Sequence, residues 1–170
     1  MPMPPSQPGC ERVEECIEVC DANPVFIEEN GVRANFAAPR SRQIRKIKYD
    51  DCYQKAPQVL KADYVVGLME DVDVIVELKG SDRRHARDQV DSTLEEWRKS
   101  PIRYPIIVCL IVYGRLEGKE RKAGRIPKIN SSNESLERDF LRRNKTLLWI
   151  RESSSHRFTF LELLGKNDGR

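Results

Sequence analysis

The chain has 170 residues, of which 39% are hydrophobic, and it carries 30 Lys and Arg against 27 Asp and Glu. This length predicts one ordinary domain with a buried core, and the hydrophobic content excludes a disordered chain. The formal net charge of +3 gives only a weak overall attraction to anions. Any anion site must therefore come from local clusters of basic residues.

The proline-rich start of the chain, MPMPPSQPG, predicts a disordered lead over 1–9, followed by a single domain over 10–170. The lead lacks the basic and apolar regions of a secretory signal. The longest apolar run, Ile106–Tyr113, has 8 residues, whereas a helix needs roughly 20 to cross a bilayer. We therefore expect a cytoplasmic protein with no membrane partner. The five cysteines lack CxxC spacing and paired histidines, which favours reduced thiols over disulfides or a zinc site.

The first half of the chain predicts one helix and several strands. Residues 10–22 have apolar side chains at helical spacing and predict an amphipathic helix. The segment VFIEENGVRANF contains Asn30-Gly31 between two alternating runs, which predicts a hairpin. RSRQIRKIKYDDCY interleaves apolar and basic residues, so we predict a strand with one basic side. The runs ADYVVGL and VIVELKG, separated by MEDVD, predict a second hairpin.

The second half predicts helices alternating with strands. After Gly80, Ser81 and Asp82 begin a helix whose apolar stripe continues to about Lys99. IIVCLIVY is typical of a central strand buried on both faces. Residues 114–133 predict a loop or irregular arm with a basic cluster, 135–143 a short helix and TLLWI a strand, while HRFTFLELL suits a strand or a helix. The order predicts an α/β fold in which helices flank a mixed β-sheet.

Candidate chemistry lies at the end of VIVELKG. Alternation puts Ile75, Glu77 and Lys79 on one side of this strand. The other side, which faces the core, carries Val74, Val76 and Leu78. If the two strands pair through the MEDVD turn, Asp63 lies opposite Glu77. The two carboxylates and the Leu78 backbone carbonyl are oxygen donors that suit Mg²⁺ or Mn²⁺. An amine beside such a metal can stabilise the charge that develops on a phosphate.

These residues resemble the PD-(D/E)XK nuclease superfamily over roughly 40–115: Lys61-Ala62-Asp63, a hairpin, Glu77-Leu78-Lys79, and a helix bearing Gln89. The resemblance implies a restriction endonuclease-like fold with an αβββαβ core and metal-dependent hydrolysis of DNA phosphodiester bonds. It makes Asp63 and Glu77 ligands of Mg²⁺ or Mn²⁺ and Lys79 the lysine that assists the attacking water. Gln89 takes a supporting role. Ala62 departs from the family pattern, which has proline there.

The family's additional glutamate, on a helix before the first strand, has three candidates here, Glu14, Glu15 and Glu18. We assign this role to Glu18. Asp71 and Asp73 are interpreted as solvated turn residues, because they lie in the predicted hairpin turn. His85, on a basic helix face, is interpreted as an exposed or phosphate-contacting residue and not as a general base.

Basic clusters lie over 40–48, 83–87 and 115–128. By themselves they are ordinary solvated surfaces, but the fold that the resemblance implies would place all three beside the site, where they would contact a DNA backbone. The candidate contacts are Arg45, Lys46, Lys48, Arg83, Arg84 and Arg87. A homodimer stays open, since no sequence feature identifies an interface. The alternative function is a catalytically degenerate module of the same fold, which binds nucleic acid or a protein partner without cleavage. Dependence on a divalent metal distinguishes the two functions.

Overall fold

The computed structural model describes residues 4–80, 82–114, 129–153 and 157–166. The fold is mixed α/β, with more strand than helix. Its strands are β1 (Cys10–Glu14), β2 (Ile17–Cys20), β3 (Val25–Glu29), β4 (Val32–Ala37), β5 (Ile44–Lys48), β6 (Tyr64–Leu68), β7 (Val72–Lys79), β8 (Ile106–Tyr113), β9 (Leu148–Glu152) and β10 (Arg157–Thr159). Its helices are α1 (Arg83–Trp97), α2 (Ile129–Asn144) and α3 (Phe160–Leu163).

The strands form two sheets. A seven-stranded sheet has the order β1-β2-β5-β6-β7-β8-β9, and a three-stranded sheet has the order β10-β4-β3. In the larger sheet, β1 to β7 pair antiparallel, whereas β7, β8 and β9 are parallel. Parallel neighbours need a crossover connection, which α1 provides between β7 and β8. The predicted mixed sheet with flanking helices is confirmed at this level.

The larger sheet is buried on both faces. Val74, Val76 and Leu78 of β7 share one core with the three-stranded sheet, and Ile75 packs in a second core with α1 and α2. The predicted apolar face of β7 is therefore correct. The opposite face, which carries Glu77, is also covered instead of open, because α1 folds back over it.

The helix predicted over 10–22 is wrong. This segment forms β1 and β2, joined by a turn at Glu15 and Cys16. Strand β2 pairs with β5 over its whole length, from Ile17↔Ile47 to Cys20↔Ile44. Pairing with an existing sheet outweighs local helical periodicity, because the ladder buries Ile17 and Cys20 beside other strands.

The prediction of reduced cysteines is also wrong. Disulfides join Cys10 to Cys20 across β1 and β2, and Cys16 to Cys52 across 36 residues of chain. Cys109 is the free cysteine among the described residues, and it is buried in β8. Bonds of this kind typically contribute about 2–4 kcal/mol each by restricting the unfolded chain. The expected cytoplasmic location stays a prediction, now without support from the cysteines.

The remaining segments are the two ends of the chain and the region around α2. Within the predicted lead, Gln7 bonds to Pro24 and Phe26 through its side-chain amide, while 1–3 lie outside the described residues. Helix α2 begins at Ile129, earlier than predicted, and 115–128 of the predicted arm are outside the description. HRFTFLELL supplies both a strand, β10, and a helix, α3. No helix in the described part of the chain is long and apolar enough to span a membrane.

Candidate active site

The site lies where β6 begins and β7 ends. Tyr64 pairs with Val76, so the next residues in register are Asp63 and Glu77. Asp63 Oδ2 accepts a hydrogen bond from the Leu78 backbone N–H at 2.8 Å. This side-chain hydrogen bond lies directly beyond the last pair of the β6–β7 ladder, Tyr64 with Val76. The predicted convergence of Asp63 and Glu77 is thus present.

Both carboxyl groups are removed from water and repel each other. Asp63 is 7% exposed and Glu77 is 2% exposed. Burial raises the pKa of Asp63 from 3.8 to about 6, against the opposing effects of the Leu78 N–H bond and of Lys48. Burial, followed by the charge of Asp63, raises the pKa of Glu77 from 4.5 to about 9, and Lys79 opposes this rise. The pair therefore retains about one proton near neutral pH.

Lys79 and Gln89 form the third and fourth parts of the site. Lys79 Nζ lies 3.8 Å from Glu77 Oε1 and donates a hydrogen bond to Gln89 Oε1 at 3.0 Å. Gln89, on α1, donates in turn to the Lys61 carbonyl at 2.9 Å. The Ala62 N–H bonds to Thr93 Oγ1 at 2.8 Å, which joins the same helix to the segment before β6. The amine beside Glu77 is therefore held by α1.

The donor atoms fit a divalent cation. Glu77 Oε2 is fully buried and has no hydrogen-bond partner among the residues that the structure describes. A buried carboxylate oxygen without a partner carries a large desolvation cost, which a bound cation would offset. Two adjacent carboxylates are the oxygen ligands that Mg²⁺ and Mn²⁺ prefer. Asp63 and Glu77 would hold such an ion, while the carbonyl of Leu78 stays a predicted third donor.

The paired carboxylates predict a pH dependence of stability in the absence of metal. Both pKa values are higher in the folded protein than in the unfolded chain, so the folded state binds more protons between about pH 4 and pH 9. The free energy of unfolding should therefore fall as the pH rises through this window. Urea denaturation in EDTA at a series of pH values measures this slope, and a Glu77→Gln protein should show a flatter one. Stability that rises steadily from pH 5 to pH 9 would contradict the prediction.

Glu18 does not join this site. It pairs in register with Lys46, and Lys46 with Val66, whose side chain packs under the three-stranded sheet. Asp63 and Glu77 belong instead with the register of Val65 and Ile75, on the α1 side. Glu18 Oε2 lies 3.2 Å from Lys46 Nζ, and Oε1 accepts a hydrogen bond from Ser6. The expectation for Glu18 failed because it rested on the helix that does not form.

Three charged side chains outside the site influence the pKa of Asp63: Lys48 lowers it, and Glu29 and Asp50 raise it. Lys48, the last residue of β5, lies with its Nζ 3.0 Å from Glu29 Oε2 on β3. Asp50 Oδ1 lies 3.2 Å from Lys61 Nζ, an ammonium that also contacts Asp51.

The predicted DNA contacts divide into two groups. Arg45 and Lys46 are each 8% exposed and are engaged in internal ion pairs with Asp73 and Glu18, so their side chains do not form an outer contact surface. The α1 arginines differ in exposure, since Arg84 is exposed whereas Arg83 and Arg87 are half-buried. Arg83 lies over the Tyr113 ring and donates to Asn133, Arg84 is exposed, and Arg87 pairs with Asp88. His85 is exposed, as expected.

Asp73 was misassigned from sequence, whereas Asp71 is exposed as predicted. The Asp73 side chain is fully buried and accepts bonds from Arg45, from Trp97 Nε1 at 2.9 Å and from the Tyr104 N–H at 2.8 Å. Gly67 leaves the space for it, since a Cβ there would lie 2.5 Å from Asp73 Oδ1. The signal for this burial was available: Asp73 shares the parity of Ile75 and Glu77 along β7.

A second group of candidate metal ligands lies away from this site. Cys10, Glu18 and Cys20 bring ligand atoms within 4.8 Å of one another. The two cysteines are bonded to each other as a disulfide, which removes their thiolates as ligands. This cluster is therefore explained by the disulfide and by the Glu18–Lys46 ion pair.

The comparisons with known proteins leave the family open. No family model, no curated protein and no solved structure significantly matches the chain. The interpretation of the site consequently rests on its own geometry.

Proposed function

We propose that the protein is a metal-dependent nuclease that hydrolyses DNA phosphodiester bonds, of the restriction endonuclease-like PD-(D/E)XK type. The observation that carries the proposal is the pair Asp63 and Glu77, buried side by side, with one partnerless oxygen and the amine of Lys79 at 3.8 Å. Most buried carboxylate oxygens in proteins have a hydrogen-bond partner. The open oxygen of Glu77, next to a second buried carboxyl group, therefore supports a site that takes a cation.

The order of the elements around the pair supports this family type. Strands β5, β6 and β7 form an antiparallel meander, α1 follows β7 directly, and β8 returns parallel to β7. This succession agrees with the βββαβ part of the αβββαβ core that the resemblance implies. The expected first helix is replaced by β1 and β2, so the proposal depends on the later elements alone.

Each side chain has a defined task in the proposed reaction. A divalent cation, when bound, would polarise a phosphate oxygen and favour an attacking hydroxide. Asp63 and Glu77 bind it as carboxylates. Lys79 orients the attacking water and neutralises charge on the phosphate, and Gln89 fixes the direction of the Lys79 ammonium. The exposed Arg84 and the half-buried Arg87 would contact the DNA backbone, with an affinity that falls as salt rises.

Cleavage tests the proposal. Purified protein should cut supercoiled plasmid, linear duplex or single-stranded DNA with Mg²⁺ or Mn²⁺ and should not cut with EDTA. We expect Lys79→Ala to slow cleavage about 10²- to 10³-fold, the usual cost of removing one group that stabilises transition-state charge, while metal binding persists. Lys166→Ala, which changes an exposed lysine, is the matched control.

Three outcomes would count against the proposal. Cleavage that continues in EDTA would remove the metal from the mechanism, and equal rates for Lys79→Ala and wild type would remove the lysine. Absence of cleavage of every DNA substrate, together with DNA binding that is equally strong in EDTA, would favour the degenerate module that binds without cutting.

A further inference from the structure

The Lys79 end of β7 lies beside Tyr113 of β8. The two residues are paired in register in the parallel β7–β8 ladder, and the Gly114 N–H donates to the Lys79 carbonyl at 2.9 Å. Neighbouring strands lie about 4.8 Å apart, so Tyr113 is the next residue across the sheet from Lys79. Tyr113 packs against the core that α1 covers, which places it on the same face as Glu77.

Arg83 covers this tyrosine from the first turn of α1. The Arg83 Cζ lies 4.3 Å from the centroid of the Tyr113 ring, and Nη1 donates to Asn133 Oδ1 of α2 at 3.0 Å. Helix α1 begins at Arg83, shortly after Lys79. The guanidinium is therefore held by a strand and a second helix, at the same end and on the same face of the sheet as the Lys79 amine.

The charge of Arg83 has no counter-ion in the part of the chain that the structure describes. Its two contacts, Tyr113 and Asn133, are neutral, and its Nε is buried without a hydrogen-bond partner among those residues. By contrast, Arg45 and Arg151 each lie 2.8 Å from a carboxylate oxygen. A half-buried cation without a counter-ion has an electrostatic cost, which a bound anion would offset.

The side chains of Lys79 and Arg83 are directed to opposite sides of β7. The Lys79 amine donates to Gln89, which in turn donates to the Lys61 carbonyl before β6. The Arg83 guanidinium lies over β8 and donates to α2. Two cations directed apart in this way suit two successive phosphates of one nucleic-acid strand better than a single phosphate held between them.

We propose that Arg83, held by Tyr113 and Asn133, binds the phosphate that neighbours the scissile phosphate, on the β8 side of the site. This inference rests on the proposed function, because it takes the scissile phosphate to lie beside Lys79. A guanidinium can donate two parallel hydrogen bonds to phosphate oxygens, and the ring beneath it fixes the plane from which it donates. The substrate is then an oligonucleotide strand that extends across β8, and not an isolated phosphodiester.

Cleavage of DNA that contains one uncharged linkage tests this contact. A methylphosphonate, which lacks the negative charge, is placed next to a bond that the wild-type protein cuts, on one side of the bond in one substrate and on the other side in a second. With Mg²⁺ or Mn²⁺, the wild type should cut one of these substrates about 10- to 100-fold more slowly than unmodified DNA, the cost of losing a hydrogen bond to a charged group. Arg83→Ala should cut unmodified DNA more slowly by a similar factor and show no further loss on the modified substrate.

Two further variants separate phosphate binding from support of the fold. Arg83→Gln removes the charge but keeps a hydrogen-bonding side chain near Asn133, and it should behave as Arg83→Ala does. Arg142→Ala is the matched control, because Arg142 is 78% exposed and pairs with Asp139 near the other end of α2. The control should cut every substrate as wild type does. Melting temperatures and titration calorimetry with MnCl₂ should show that the fold and the metal site are intact in each variant.

The outcomes distinguish this inference from the proposed function. Equal cleavage of unmodified DNA by Arg83→Gln and the wild type overturns the role of Arg83 and leaves the nuclease proposal in place. A methylphosphonate effect that is absent from the wild type, or that persists at full size in the Arg83 variants, has the same meaning. Absence of metal-dependent cleavage by the wild-type protein overturns both.

Discussion

Replacement of Glu77 by Gln is expected to abolish metal-dependent cleavage and, at the same time, to stabilise the metal-free protein. Loss of a ligand removes several kcal/mol of transition-state stabilisation, so the rate should fall about 10³-fold or more. The same change removes a buried carboxyl group whose pKa is raised to about 9 by burial and by Asp63. Because one unit of pKa corresponds to about 1.4 kcal/mol, we expect a gain of roughly 1–3 kcal/mol at pH 8.

The two effects are measured separately. Cleavage and Mn²⁺ affinity report the first, and urea denaturation in EDTA reports the second. Glu95→Gln, at an exposed position of α1, controls for the loss of one negative charge. A Glu77→Gln protein that is less stable than wild type without metal would show that the carboxyl group serves the fold, and the argument for a metal site would lose its main support.

Replacement of Asp73 by Ala is expected to cause the largest loss of stability. Its carboxylate lies 2.8 Å from Arg45 Nη2 and also binds Trp97 and the Tyr104 N–H. Removing it leaves a buried guanidinium, 8% exposed, without its counter-ion. Breaking a buried pair from one side typically costs about 3–5 kcal/mol. Metal binding by whatever protein remains folded should be unchanged, because Asp73 lies at the other end of β7.

Asp71→Ala provides the comparison for this prediction. Asp71 also pairs with an arginine, Arg42, at 2.6 Å, but its side chain is 55% exposed. An exposed pair contributes only about 0–1 kcal/mol, so this variant should melt close to wild type. Equal losses of stability in the two variants would mean that burial does not determine how much the Asp73 interactions contribute to the free energy of unfolding.

The sequence predicted the central elements well because their signals were local and strong. The Asn30-Gly31 turn fixed the β3–β4 hairpin, and the β-branched runs fixed β6, β7 and β8. The helix that follows Gly80 begins with Asp82 as its N-cap, and Ala86, Val90, Leu94 and Trp97 form its buried stripe. Alternation along β7 also predicted that Glu77 and Lys79 share a side.

Other features depended on partners distant in the chain. The apolar residues of 10–22 also have the spacing of a helix. The segment forms strands because β2 pairs with β5 of the larger sheet. The bond between Cys16 and Cys52 needs the β1–β2 turn to meet the connection after β5. As a result, Glu18 lies on the face of the sheet opposite to Glu77, because alternate residues of a strand point to opposite sides.

The sequence by itself thus determined the β6–β7 hairpin, the helix after it, and the approach of Asp63, Glu77 and Lys79, because each follows from short-range periodicity and turn chemistry. Only the tertiary structure decided that α1 covers the Glu77 face and that Asp73 is buried with Arg45. Local patterns define which side of a strand a residue occupies. The elements that pack over that side determine whether the charged side chain is solvated, paired with a counter-ion or buried beside another carboxylate.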